Sequence, residues 1–190
     1  MPSADPRTLR KTLRARRRAL RPAQQRAAAR RLCHKVSASA VFRGARRIAL
    51  YIAADGEIDP APICREAWRR GKQVFLPVLH PLLHNRMIFV RYRESDRLLA
   101  NRFGIAEPAT LRGAVAPWQL DLVLMPLVAF DAAGNRLGMG GGFYDRSFAR
   151  NRTPRWPRRP HLCGLAHRLQ QVAEVPANAW DVPLARVFTG

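Results

Sequence analysis

The apolar positions of this chain fall into short runs separated by turn residues. Four of these runs predict strands: Arg46–Ala53 (RRIALYIA), Gln73–Leu79 (QVFLPVL), Leu120–Phe130 (LDLVLMPLVAF) and His161–Ala166. The run Leu120–Phe130 has the continuous, Val-rich character of a strand buried on both faces. A fifth run, Met87–Arg93, alternates apolar and polar residues and predicts an edge strand.

Helical spacing marks three other segments. In Arg7–Leu20, the leucines Leu9, Leu13 and Leu20 lie on one side, and arginines recur every three or four residues, a pattern typical of a solvated face. Pro22 suits the first turn of a second helix, filled by the alanine-rich run Ala23–Ala40. Pro60–Arg70 predicts a third helix, closed by Gly71.

The order of these elements predicts the fold class. Strand 46–53, helix 60–70 and strand 73–79 form a βαβ unit, which implies a parallel sheet covered by helices. We expect an α/β protein with a three-layer α/β/α arrangement and a mostly parallel, Rossmann-like sheet. One domain is expected over residues 1–190, with N-terminal basic helices at about 6–40 and a sheet core at about 46–190. Residues 103–108 are predicted to be irregular, and 150–160 to be a surface excursion.

Charge is the unusual feature of the composition. The 190 residues carry 34 Lys and Arg against 13 Asp and Glu, a formal net charge of +21. Such a field attracts polyanions, so nucleic acid must be considered. Lysine occurs only at Lys11, Lys35 and Lys72, however, and the arginines are spread along the chain without one basic block interleaved with aromatics. The arginine usage can also reflect the base composition of the coding DNA. We therefore expect attraction of anionic substrates and no specific nucleic-acid site.

Cysteine usage and apolar run length bear on the compartment. Cys33, Cys64 and Cys163 form no Cys-x-x-Cys pair, so neither a disulfide framework nor a zinc site is expected. The longest apolar runs fall short of the roughly 18 residues that span a bilayer, and no secretory signal pattern begins the chain. These features favour a cytoplasmic protein without a membrane partner, and we expect a monomer.

A glycine cluster is the strongest chemical signal. Gly138, Gly140, Gly141 and Gly142 follow a predicted buried strand and the turn residues 131–135, and a helix is predicted to start near Phe143. Glycine backbone can approach an oxyanion closely, and a helix N-terminus adds a favourable dipole. Two arginines, Arg136 and Arg146, flank the loop and would complete an anion cradle. The spacing matches neither a Walker A loop nor a dinucleotide fingerprint, so a ligand-free turn is the alternative.

Glu57 follows the first predicted strand, beyond the turn Ala54-Asp55-Gly56. Ligands bind at the carboxyl ends of strands in such sheets, so Glu57 and the glycine loop are expected to share one crevice. An exposed loop acid is the alternative for Glu57. The neighbouring aromatics Phe143 and Tyr144 either stack on a planar ligand or pack as core residues.

At this level of detail the chain resembles the 5-formyltetrahydrofolate cyclo-ligase family, also called 5,10-methenyltetrahydrofolate synthetase, over almost its full length. Four segments carry the resemblance. They are RRRALRPAQQ; YIAADGEID with RRGKQVFLP; DLVLMPLVAFDAAGNRLGMGGGFYDR; and WDVPLARVFT. The third is the most specific of them.

The resemblance implies an ATP- and magnesium-dependent carbon-nitrogen ligase of one-carbon folate metabolism. In the implied reaction, ATP phosphorylates the formyl oxygen of 5-formyltetrahydrofolate, ring closure gives 5,10-methenyltetrahydrofolate, and ADP and phosphate are released. Phosphoryl transfer depends on positioning and charge neutralisation, so no covalent or acid/base catalytic residue is assigned.

The resemblance also assigns site residues. Matched to the family's ATP loop are Arg136, Leu137, Gly138, Met139, Gly140, Gly141, Gly142, Phe143 and Tyr144. Matched to folate-lining positions are Ile52, Glu57 and Met139 to Phe143. Pro6 stands where a lysine often contacts phosphate, so Arg7 and Arg10 are the expected substitutes.

The implied magnesium ligands are Asp145 and Asp181. Magnesium commonly uses one or two carboxylates together with phosphates and water. The alternatives are a helix first-turn acid for Asp145 and a turn residue for Asp181.

A basic nucleic-acid-binding protein on the same fold is the rival hypothesis. A catalyst requires both the glycine loop and Glu57, whereas a binder driven by phosphate neutralisation requires neither.

Overall fold

The computed structural model describes residues 5–83, 85–101, 104–152, 160–176 and 178–190. Its strands are β1 (Arg47–Ala49), β2 (Gln73–Leu79), β3 (Met87–Tyr92), β4 (Leu98–Ala100), β5 (Ala106–Pro108), β6 (Ala114–Val115), β7 (Leu122–Pro126), β8 (Ala129–Phe130), β9 (Arg136–Leu137), β10 (His161–Ala166) and β11 (Arg186–Thr189). Its α-helices are α1 (Pro6–Arg18), α2 (Pro22–Ser37), α3 (Ala40–Gly44), α4 (Ala61–Arg69) and α5 (Phe143–Ser147).

Within these residues, seven strands form the central sheet in the order β11-β10-β7-β1-β2-β3-β6. Neighbours from β11 through β2 run parallel, while β3 is antiparallel to β2 and to β6. The unit β1-α4-β2 is the predicted βαβ unit. On the other side of β1 lies β7. The chain proceeds from β1 to β2 in one direction across the sheet and from β7 to β10 in the other. Sheets of this kind bind ligands at the point between two such strands.

Both faces of the sheet are covered, which explains the continuous apolar runs. In β7, Leu122 and Leu124 pack with residues of α2, α3 and α4 on one face. Val123 and Met125 pack on the other face with Phe148, which follows α5. The predicted α/β class with a mostly parallel sheet is therefore confirmed.

Local sequence explains where the helices begin. Asp5 caps α1 by accepting from the Thr8 N–H at 2.9 Å, and Pro6 occupies its first turn. The helix predicted over 23–40 is observed as α2, Pro22–Ser37, and ends three residues earlier than predicted because Ser39 caps a separate short helix, α3. A third-turn leucine of α1, Leu13, packs against β8, β9 and Val175, and the helix also contacts the turn Arg168–Gln170.

The predicted strand 120–130 is wrong, because it is two strands. Pro126, which has no N–H to donate, ends β7. The chain then pairs β8 with β9 in a separate hairpin, closed by the Asn135 N–H bond to the Asp131 carboxylate. The carbonyls of Leu127 and Val128 accept from the Gln170 side chain instead of from a strand.

Other predicted bounds differ less. The first strand spans Arg47–Ala49 instead of 46–53, and Met87–Tyr92 is the strand next to the edge, because the two-residue β6 pairs outside it. Ala106–Pro108 is a short strand and not irregular. Residue 103 and most of the predicted excursion, 153–159, lie outside the described residues. No described helix has the length and apolar character that crossing a bilayer requires.

Candidate active site

A cavity of about 1150 Å³ opens at the carboxyl ends of β1, β2 and β7. It is lined by Ile52 and Glu57 from the loop after β1, by the glycine loop between β9 and α5, and by Arg10 and Arg14 of α1. Of the residues that sequence assigns to ATP, folate or magnesium, all but Arg7 line this cavity. Arg7 is exposed on α1 and is not part of the wall.

The glycine loop has the conformation that requires glycine. Gly140 has φ +100° and Gly142 has φ +64°. The Arg10 guanidinium lies beside Gly140, and its Nε donates to the Gly138 carbonyl at 2.8 Å. Arg146 donates to the Gly141 carbonyl at 2.7 Å. Two arginines therefore brace the loop, and its backbone stays close to the cavity.

The helix after this loop begins at Phe143, as predicted, but it has only five residues. Its dipole is correspondingly small. Positive side chains and the glycine backbone are left as the main anion-attracting groups of the loop.

Arg136 and Asp145 form a pair at the side of the cavity. The Arg136 Nη2 lies 2.5 Å from Asp145 Oδ1, and Arg136 also donates to the Val182 carbonyl. The same Asp145 Oδ1 accepts from the Val182 N–H at 3.0 Å. Asp145 therefore ties the start of α5 to the segment that contains Asp181.

The two aspartates predicted as magnesium ligands both line the cavity and offer the carboxylate oxygens that magnesium prefers. Hydrogen bonds reach Oδ1 of Asp145, and those of Asp181 reach its Oδ2 from the N–H groups of Asn178. Within the described residues, no group of three or more His, Cys, Asp or Glu is arranged to hold a metal. Two carboxylates are enough when phosphates supply further oxygens, as magnesium commonly requires.

Glu57 is largely enclosed, with 12% of its side chain exposed. Its Oε2 accepts from the Ala54 N–H at 3.1 Å. Burial raises the pKa of Glu57 above its ordinary value, although the Ala54 N–H and the Arg17 charge act in the opposite direction. An enclosed carboxylate with defined partners is unlike the exposed loop acid that was the alternative.

Sequence reasoning missed a cluster of charges behind Glu57. Arg14 Nε lies 2.6 Å and Arg17 Nη2 lies 2.8 Å from Asp55 Oδ2. Burial alone would raise the pKa of Asp55, but the hydrogen bonds from the two arginines lower it below its ordinary value. The signal available in the sequence was the spacing of Arg10, Arg14 and Arg17 on one helix face.

The two aromatic residues of α5 pack in the core and also reach the cavity wall. Tyr144 stacks on Phe148 at 6.4 Å between ring centroids, and Phe143 packs against the same apolar cluster. Both rings also line the cavity, together with the exposed Met139 and Trp180.

Comparison with known proteins assigns the chain that forms this cavity to a family. The model of the 5-formyltetrahydrofolate cyclo-ligase family matches residues 2–190. The chain belongs to this family. The cyclo-ligase of Escherichia coli K12 is 39% identical over 179 residues, which cover 93% of this chain and 96% of the relative. That of Haemophilus influenzae is 43% identical over 150 residues, 78% of each chain.

Solved structures agree with this membership. The NMR structure of 5,10-methenyltetrahydrofolate synthetase from Aquifex aeolicus has a TM-score of 0.80 and 28% identity, covering 96% of this chain and 88% of that one. A Mycoplasma pneumoniae synthetase, at 23% identity and a TM-score of 0.74, shares the fold. The predicted family and the predicted enzyme class are both confirmed: the chain is a cyclo-ligase, an enzyme of folate one-carbon metabolism that closes a ring on 5-formyltetrahydrofolate.

Proposed function

We propose that this enzyme uses ATP and magnesium to convert 5-formyltetrahydrofolate into 5,10-methenyltetrahydrofolate, ADP and phosphate. One observation carries the proposal. The glycine loop, the Arg10 guanidinium and the Glu57 carboxylate line a single cavity that is large enough for two ligands side by side.

The proposed chemistry activates a poor leaving group. The formyl oxygen on N5 takes the γ-phosphoryl group of ATP, and ADP leaves. The N10 lone pair then forms a bond to the formyl carbon, the carbon-oxygen bond breaks, and phosphate departs with that oxygen. Loss of the N10 proton completes the five-membered ring. Each step needs two bound substrates held in line more than it needs a nucleophilic side chain.

The ATP phosphates are assigned to the glycine loop and its arginines. The four glycines among residues 138–142 let the backbone approach phosphate oxygens without a Cβ in the way, and Arg10 and Arg146 supply positive charge beside the loop. Arg136 has its guanidinium engaged by Asp145 and the Val182 carbonyl, so its contribution is to shape the loop as well as to add charge.

The pterin is assigned to the loop after β1. The ionised Glu57 carboxylate accepts hydrogen bonds from the N–H-rich pterin edge, and Ile52 and Phe143 offer apolar surface to its ring. Asp145 and Asp181 are the residues that would hold magnesium, which shields phosphate charge when it is bound.

We also propose a cytoplasmic monomer. Cys33, Cys64 and Cys163 are free thiols, as a reducing compartment favours.

The test is an absorbance assay for methenyltetrahydrofolate, run with matched measurement of ADP and phosphate. We expect product only when 5-formyltetrahydrofolate, ATP and magnesium are all present, with one ADP and one phosphate per ring closed. Product formation without ATP, or ATP hydrolysis that does not depend on folate, would reject the proposal.

A further inference from the structure

Arg17 is fully buried, with 0% of its side chain exposed, although its neighbour Arg18 is 55% exposed. Its Nε donates to the Asp55 carbonyl at 2.8 Å, and its Nη2 lies 2.8 Å from Asp55 Oδ2. The same Nη2 lies 3.7 Å from Glu57 Oε1, and Nη1 lies 3.4 Å from the Leu127 carbonyl. Every nitrogen of this guanidinium therefore faces an oxygen of the protein.

These oxygens belong to loops that follow two adjacent strands. Asp55 and Glu57 lie after β1, and Leu127 lies directly after β7. Arg17 itself does not line the cavity, whereas Glu57 and Leu127 do. A planar guanidinium can satisfy several fixed oxygens at once, so Arg17 holds both loops from behind the cavity wall.

The Glu57 carboxylate is fixed at both of its oxygens. Oε2 accepts from the Ala54 N–H, and Oε1 faces Arg17. Of the charges around it, Arg17 and Arg14 favour the ionised form, while burial and the Asp55 carboxylate favour the neutral form. The titratable hydroxyls nearby are those of Tyr51 and Tyr144. Without Arg17, the Ala54 N–H and the Arg14 charge remain as the groups that oppose the effects of burial and Asp55 on Glu57.

We propose that Arg17 is a positioning residue for folate recognition, which keeps the Glu57 carboxylate ionised and fixed at the cavity wall without touching either substrate. The inference rests on the proposed role of Glu57 in binding folate. It differs from the proposed ATP contacts, because Arg10, on the same face of α1, reaches the glycine loop instead.

The test compares Arg17→Met with Arg18→Met. Arg18 is the matched control, because it adjoins Arg17 on α1 and lies 3.3 Å from Asp55 Oδ1 but is exposed to solvent. Calorimetry measures the Kd of 5-formyltetrahydrofolate from about pH 5 to about pH 8, and separately the Kd of a non-hydrolysable ATP analogue. Thermal unfolding and circular dichroism report whether each variant is folded.

We expect Arg17→Met to raise the folate Kd on the order of tenfold and to leave the analogue Kd unchanged. Folate affinity is lost as pH falls through the pKa of Glu57, and removing a nearby cation raises that pKa. The inflection in folate affinity should therefore move to higher pH in Arg17→Met and stay in place in Arg18→Met.

A conservative variant covers the case in which Arg17→Met does not fold. Arg17→Lys keeps the charge but loses the planar fork, so we expect a raised folate Kd with the inflection of the parent protein. A parent-like folate Kd in folded Arg17→Met and Arg17→Lys would overturn the inference. So would equal weakening of folate and ATP analogue, which is the signature of a general structural role.

Failure of the proposed function would give results different from failure of the role of Arg17. It appears in the parent protein, as absence of ATP-dependent product, or in Glu57→Gln, as folate affinity equal to that of the parent. If the parent is active and Glu57→Gln binds folate weakly while Arg17→Met does not, only the role of Arg17 is rejected.

Discussion

The arginines of α1 include both exposed residues and a fully buried one, Arg17, and the sequence pattern does not distinguish between them. The spacing of Arg14 and Arg17 predicts a solvated face, yet Arg17 is enclosed and Arg14 lines the cavity. A buried charge is stable only where opposite charges meet it, and the carboxylates that meet Arg17 come from a distant loop. Periodicity within a helix contains no information about that loop. Arg17 was therefore not predictable as a buried residue, whereas the convergence of the glycine loop and Glu57 on one cavity was predictable.

The glycine loop gives the first residue-scale prediction. Gly140→Val should raise the KM for ATP and lower kcat, because Gly140 has φ +100° and its Cβ would lie 3.7 Å from the Arg10 guanidinium. The strained backbone should cost about 1–3 kcal/mol of unfolding free energy. Steady-state kinetics and chemical denaturation measure the two effects.

Gly134→Val is the matched control for Gly140→Val. Gly134 also has a positive φ, +88°, but it lies in the β8-β9 turn away from the cavity. We expect a similar loss of stability with unchanged ATP kinetics. Equal kinetic defects in the two variants would argue against an ATP-binding loop.

The proposed magnesium ligands should respond differently to the same substitution. Asp181→Asn should raise the magnesium concentration required for half-maximal activity and lower kcat, because a ligand is weakened. Asp145→Asn should do the same and also lower the melting temperature, because Asp145 pairs with Arg136 at 2.5 Å. Asp59→Asn, at a helix start outside the cavity wall, is the control. Parent-like magnesium titrations in both variants would reject the assignment.

At the scale of elements, the sequence predicts strand bounds well where the apolar run and the hydrogen bonds to neighbouring strands end at the same residue. The predicted bounds of β2 and β10, Gln73–Leu79 and His161–Ala166, are those observed. The run 120–130 remains apolar beyond β7 because Val128 and Ala129 are buried against α1 in a different sheet. Hydropathy reports burial and does not report which partner strand supplies the hydrogen bonds. The same limit applies to β11, for which no strand was predicted.

The contact between α1 and the loop after β1 gives an element-scale prediction. A Cβ at Gly56 would lie 3.0 Å from the backbone N and Cα of Arg18, so Gly56→Ala should push α1 away from the loop. Gly71→Ala is the matched control, since Gly71 has a similar φ of +69° but open space around it. Left-handed strain costs each variant about 1–2 kcal/mol. The clash should cost Gly56→Ala about 1–3 kcal/mol more.

Chemical denaturation compares the stability of Gly56→Ala with that of Gly71→Ala, and ligand titration compares their affinities for folate and ATP. Both folate and ATP affinity should fall in Gly56→Ala, because α1 carries Arg10 as well as Arg14 and Arg17. Equal stability in the two variants would show that the packing of α1 on Gly56 contributes little.

For the whole molecule, a net charge of +21 should produce binding to nucleic acid that depends on salt and not on sequence. Fluorescence anisotropy with one DNA or RNA and a scrambled version should give equal affinities that fall steeply as salt rises. Large discrimination between the two at physiological salt would favour the rival hypothesis of a specific nucleic-acid-binding protein.

Stability of the whole molecule should fall on mild acidification. Burial lowers the pKa of His167, and the nearby Arg17 charge adds to this effect. The unfolded chain therefore takes up a proton that the folded chain does not, and unfolding free energy declines as pH falls below about 6.5, by at most about 1.4 kcal/mol per pH unit. Denaturation of His167→Gln at several pH values should show a shallower decline, while the exposed His161→Gln should follow the parent.

The packing of α1 also has a consequence for biosynthesis. Besides the loop after β1, α1 contacts β8 and the turn Arg168–Gln170, which follow it by about 110 and about 150 residues. At about 5–20 residues per second, the turn Arg168–Gln170 is synthesised roughly 8 to 30 s after α1. Asp55 and Glu57 follow α1 by about 40 residues, so the charged partners of Arg17 are synthesised well before that turn. Rapid translation of the second half of the message shortens the time in which α1 has its charged partners but lacks its later apolar contacts.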